Sequence, residues 1–204
     1  DLVGRLQHVD VRDRTIQWFQ RHYAVDVEHA ARIERTAKDL LLQVYESWRL
    51  PKSRSRRLLT WASQLHEIGL AISHTGYQKH AAYLVANSDM AGFSRTDQRT
   101  LAAVLRGMRR KMKKRYFKEL REDRRRQVMR IAVVFRLARA LHRSRRDRPL
   151  PEIRFEVDTS KKKDRLRLSF PEGWLEANPL TREDLKQHAR YLKRVDMKLR
   201  IKTR

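Results

Sequence analysis

The chain has 204 residues, 40% of them hydrophobic, and a net charge of +25. That length allows one large domain or two small ones with an adequate core. The absence of cysteine excludes disulfides, thiolate chemistry and Cys-ligated zinc, and no apolar run reaches the ~18 residues of a membrane span. A chain this basic repels itself and attracts polyanions such as nucleic acid or polyphosphate. It starts at Asp1, shows no signal peptide, and reads as a piece of a longer cytoplasmic protein.

In chain order, Asp10 is a predicted N-cap for a helix through Trp18 and Phe19 to His22. Asp26 caps a longer helix to Trp48, with Ile33, Ala37, Leu40, Leu41, Val44 and Trp48 at steps of three and four. Pro51 and Ser53 open a helix that turns Leu58, Leu59, Ala62 and Leu65 inward, and Gly69 reads as its stop. A fourth helix covers Tyr77 to Ala86. Ser94 and Asp97 form a capping-box pattern for a fifth, carrying Leu101, Val104 and Leu105. A basic arm, KMKKRYFKELREDRRR (111–126), leads into an apolar central helix, Val128 to Leu141.

The pattern changes after Pro149. IRFEV (153–157) and RLRLSF (165–170) alternate as half-buried strands do, with a lysine-rich turn between them. Pro171 to Pro179 is a turn region, Thr181 caps a helix to about Arg194, and MKLRI (197–201) is a third strand. The expected fold is mainly α: a helical domain over 1–148, then a small α+β domain over 149–204 with three strands and a helix. The second unit is too small to bury much core alone and is expected to pack on the first.

Charge is concentrated between Arg106 and Arg148, where 19 Lys or Arg stand against 4 Asp or Glu. Arg136, Arg139, Arg143 and Arg146 fall at helical steps and form an expected stripe. Like charges so spaced destabilise a helix unless a polyanion neutralises them and releases its counterions. With Tyr116 and Phe117 as the arm's aromatics, backbone-phosphate recognition is better supported than base stacking.

The stretch LHEIGLAISHTGYQKHAAYLVANSDMAGFS (65–94) gathers three histidines, a glutamate and an aspartate. Its His66-Glu67 pair resembles the His-Asp doublet of the HD phosphohydrolase superfamily, whose metal site also takes an upstream His and a late helical Asp. HAARI (29–33) resembles the first-His segment, with His29 at the ligand position. Ala138-Arg139-Ala140-Leu141 stands where the late carboxylate is expected, so Arg139 would repel a hard cation. These positions (His29, His66, Glu67, Arg139) therefore read as a degenerate site with no metal and no catalytic residue. A second reading buries Arg139 as the ion-pair partner of Glu67.

The whole stretch resembles the C-terminal half of the exopolyphosphatase / guanosine pentaphosphate phosphohydrolase family. The shared signature is His66-Glu67-Ile68-Gly69, then His74, Gly76, His80 and Tyr83, then Asn87, Asp89, Gly92 and Phe93. DVRDRT (10–15) and FPEGW (170–174) resemble the opening and the last-domain element of that half. The resemblance implies a degenerate HD-like helical domain followed by a small α+β domain, without cofactor of its own. It also implies an N-terminal actin-like catalytic half that uses Mg²⁺, a homodimer, and a role in gripping inorganic polyphosphate for processive hydrolysis by that half. The candidate grip residues are Arg109, Arg110, Lys111, Lys113, Lys114, Arg115, Arg136, Arg139, Arg143 and Arg146. Three alternatives stay open: a nucleic-acid-binding module, an active HD-type guanosine polyphosphate phosphohydrolase, and a dimerisation domain kept soluble by its charge.

Overall fold

The computed structural model describes residues 10–204. Helix α1 (Val11–His22) starts where the Asp10 carboxylate accepts from the Arg12 N–H at 3.0 Å. Helix α2 (Val27–Val44) is capped by Asp26, which accepts from the His29 N–H at 2.9 Å. Each cap satisfies an N–H that has no partner within its helix. Helix α2 ends earlier than the periodicity predicts, and Trp48 is brought inward by a turn. Helix α3 (Lys52–Leu65) follows Pro51, and α4 covers Tyr77–Asn87. The capping box of Ser94 and Asp97 closes and opens α5 (Arg95–Gly107).

Two expectations are corrected in this half. Gly69 does not end α3, which stops at Leu65. It lies in a short 3₁₀ turn, Ile68–Ala71, where an added Cβ would sit 2.1 Å from the Tyr77 carbonyl oxygen. Glycine is required there for close approach of two backbones. The basic arm is shorter than 111–126. Met112, Phe117 and Leu120 are buried and pin it to the domain, and its last residues already belong to α6 (Glu122–Leu141). That helix begins six residues before the apolar run, because Glu122 and Asp123 favour the positive end of its dipole.

The C-terminal part is a three-stranded sheet in the order β1-β2-β3. Strand β1 (Arg154–Asp158) is antiparallel to β2 (Asp164–Phe170), and β2 is parallel to β3 (Met197–Thr203). The predicted turn at 171–179 contains a four-residue helix, α7 (Trp174–Ala177). Helix α8 (Pro179–Leu192) begins at Pro179, not after a Thr181 cap, since proline suits the first helical position. Alternation puts Phe155, Leu166, Leu168, Met197 and Leu199 on the inner face, where Phe155 meets Trp48 edge-on at 5.9 Å. The buried Asp164 carboxylate binds Arg126 and Arg130 of α6 at 2.9 Å each. The apolar interior therefore runs without a break across the expected boundary at 149.

Candidate functional site

Two separate places carry the predicted chemistry. The first is the pocket of His29, His66 and Glu67, set by the start of α2 and the turn after α3. One ligand atom from each lies within 4.8 Å of the others. His66 donates Nδ1–H to the Ser63 carbonyl at 2.7 Å, which leaves its Nε2 lone pair 3.8 Å from Glu67 Oε1. Burial pushes the His66 ring down to about 4, so it is neutral near pH 7. Burial also lowers His29, whose Nδ1 is buried with no hydrogen-bond partner among the described residues.

The partner of Glu67 is not Arg139 but Arg145. Its guanidinium holds Oε1 at 2.5 Å and Oε2 at 3.2 Å, and reaches Asp26 at 3.0 Å. Burial opposes ionisation of Glu67, yet the Arg145 hydrogen bonds and the Arg145 charge hold its carboxyl below the ordinary value. A resident cation thus already sits on the carboxylate of this three-donor cluster, engaging both oxygens. Arg139 is half-buried on α6, donates Nε–H to the Met108 carbonyl at 3.3 Å, and adds positive charge toward His66. The sequence held no signal for Arg145. It lies past the end of α6 in a left-handed conformation, φ +56°, so helical spacing places it nowhere.

The second place is the cationic surface, and here the expected arginine stripe is corrected. Helix α6 ends at Leu141, so Arg143 and Arg146 leave its face. Arg136 is fully buried. It donates to the Gly107 carbonyl at 2.7 Å, to the Arg110 carbonyl, and from Nε to His188 Nδ1 at 2.6 Å. Burial lowers its guanidinium to about 9. It is a structural clasp with no open surface for a polymer. Arg143 is exposed and bonded to Asp184 at 2.5 Å, and Arg146 is exposed.

The remaining candidates gather at the arm. Arg109 lies 4.7 Å over the Tyr77 ring, while Arg110, Lys111 and Arg115 are exposed. Lys114 is exposed and bonded to Asp196 at 2.5 Å. The positive charges of Arg115, then of Lys111, Arg194 and Arg106, hold the Lys113 ammonium below its ordinary value. Arg106 of α5 lies 4.8 Å over the Tyr116 ring and Lys114 reaches Asp196, so α5, the arm and the turn before β3 meet here. Arg106 and Arg194 were missed in the sequence, 88 residues apart, because only the tertiary fold brings both charges to bear on Lys113.

The signature segments themselves support the fold. Thr15 of the DVRDRT segment donates to the Ala91 carbonyl at 2.8 Å, and a Cβ on Gly92 would sit 2.8 Å from Arg12 Cγ. In FPEGW, Phe170 and Trp174 stack at 5.0 Å across Gly173, whose φ is +75°. His74 and Tyr83 are exposed, His80 is half-buried, and Asn87 donates to the Tyr83 carbonyl at 2.8 Å.

The fold is thus a helical body, with Arg145 filling the pocket of His29, His66 and Glu67, followed by a small sheet. Residues 11–189 match the family described as Ppx/GppA phosphatase, domain III, and the chain belongs to that family. It is 35% identical over 200 residues to a guanosine-5'-triphosphate,3'-diphosphate pyrophosphatase of Pseudoalteromonas translucida (strain TAC 125), covering 97% of this chain and 39% of the relative. A protein of the same name from Aeromonas hydrophila is 35% identical over 185 residues, covering 91% of this chain and 36% of its own length. The chain thus spans well under half the length of these curated relatives. No helix among the described residues is long and apolar enough to cross a membrane.

Proposed function

We propose that this chain is the substrate-gripping C-terminal region of a phosphoanhydride hydrolase. It holds a polyanionic phosphate chain, inorganic polyphosphate, while an N-terminal catalytic half with Mg²⁺ removes terminal phosphates. The observation that carries the reading is the exposed run of Lys111, Lys114 and Arg115, with Arg106 4.8 Å over the Tyr116 ring of the arm and Lys114 reaching Asp196. Repulsion by Arg115, then by Lys111, holds the Lys113 ammonium below its ordinary value. Self-repulsion of that kind is relieved by a bound polyanion, with counterion release adding to affinity. Arginine forks and lysine point charges suit phosphate oxygens without reading any base. A cytoplasmic homodimer, with each grip feeding a catalytic half, completes the proposal.

Replacing Lys111, Lys113 and Arg115 together by alanine is the test. Affinity for long polyphosphate should fall at least about tenfold at low salt, with a shallower salt dependence. Unchanged affinity overturns the reading. The names of the relatives favour a second substrate of the same bond type, a guanosine polyphosphate. If the nucleotide displaces polyphosphate at equal phosphate concentration, the grip serves that substrate instead.

A further inference from the structure

The outer face of the sheet is a second cationic surface, built by register and not by the arm. Arg165 and Arg167 of β2 lie directly beside Lys198 and Arg200 of β3, and all four are exposed. Neighbouring strands lie roughly 4.8 Å apart and alternate residues roughly 6.6 Å apart along a strand, so the four charges form a compact grid. Like charges directly opposite one another destabilise a sheet. Lysine on an edge strand deters edge-to-edge pairing, which accounts for Lys198. It does not account for Arg165 and Arg167, because β2 is the central strand.

A shallow depression of about 270 Å³ opens between these residues. On its β1 side stand two acids: Glu156, 3.6 Å from Arg167, and Asp158, opposite Arg165. They leave the grid a net positive charge. The face has no aromatic residue, so it offers bases nothing to stack on. The grid also adjoins the arm. Asp196, two residues before Lys198, binds Lys114 at 2.5 Å, and the turn residue Lys163 acts on the same carboxylate.

We propose that the outer face of the sheet binds a base-free phosphate polymer as a continuation of the arm grip, so that one chain passes from the Lys113 cluster across Asp196 onto the β2–β3 grid. This deepens the proposed function and rests on it for the identity of the polymer. The arginines supply forked hydrogen bonds and Lys198 a point charge.

The test compares two variants of the chain, R165T/R167T/K198T/R200T and K111A/K113A/R115A, with inorganic polyphosphate several hundred phosphates long. Threonine favours strands and removes the repulsion, so the sheet variant should keep or raise its melting temperature. Its affinity should fall about tenfold or more at low salt, and its log-affinity against log-salt slope should become shallower by roughly 3, about 0.7 for each phosphate no longer neutralised. If the quadruple variant does not fold, R167T/R200T is measured, with roughly half the slope change expected. Wild-type affinity and slope in the sheet variant, with the arm variant weakened, overturn this inference alone. Wild-type behaviour in both variants overturns the proposed function with it. Single-stranded DNA that outcompetes polyphosphate at equal phosphate overturns the assignment to a base-free polymer.

Discussion

Replacing Arg145 by alanine removes the guanidinium that engages both oxygens of Glu67. The Glu67 side chain is 7% exposed and that of Arg145 is 46% exposed. Breaking a fully buried pair from one side costs about 3–5 kcal/mol, and an exposed pair is worth about 1 kcal/mol or less. With one partner buried and the other half in water, the expected cost is about 2 kcal/mol, most of it the stranded carboxylate. The double variant E67Q/R145A should recover about half of that loss, because a neutral amide needs no counter-charge. Because Glu67 titrates below its ordinary value, the stabilisation by Arg145 is present above pH 4.5 and lost as pH falls below it. Urea unfolding followed by far-UV circular dichroism at pH 7 and pH 4 measures all three quantities. An R145A variant within about 0.5 kcal/mol of the wild type, or a double variant no better than the single, refutes Arg145 as the resident cation of the pocket.

Acid should destabilise the chain well before its carboxylates titrate. Burial lowers His66 and His142 to about 4 and His188 to about 2, all from 6.5. Their contribution is therefore complete above pH 6.5 and lost as pH falls toward 4. At pH 5 each costs about 2 kcal/mol, together about 6 kcal/mol against a typical total of about 5–15. A melting temperature that stays flat from pH 7 to pH 5 contradicts this. Arg136→Met should cost about 2–4 kcal/mol by leaving the Gly107 and Arg110 carbonyls without their donor. Where it stays folded, its affinity for polyphosphate should equal the wild type's; a tenfold loss would show that this arginine reaches the polymer after all.

Much of the fold was legible from local pattern. The caps at Asp10, Asp26 and Ser94, the helical steps in α2 and the alternation in β2 each depend on neighbours within a few residues. The family motifs were legible for the same reason, and they turn out to sit where backbones approach closely, as at Gly92 beside Arg12. Boundaries set by packing were not legible. Helix α6 reached back six residues to Glu122; its predicted end at Leu141 held, and that end leaves Arg143 and Arg146 off the helical stripe.

The sequence by itself determined that the chain is mainly helical with a small sheet at its end, that it carries a large positive charge, and that a histidine and a glutamate stand side by side at His66-Glu67. Only the tertiary structure decided which cation fills their pocket, which arginine is interior, and which cations share a surface. Composition counts charges, but a charge acts through distance and solvent. Arg136 in the core, Arg145 on Glu67 and Arg106 over Tyr116 differ in nothing except where the fold puts them.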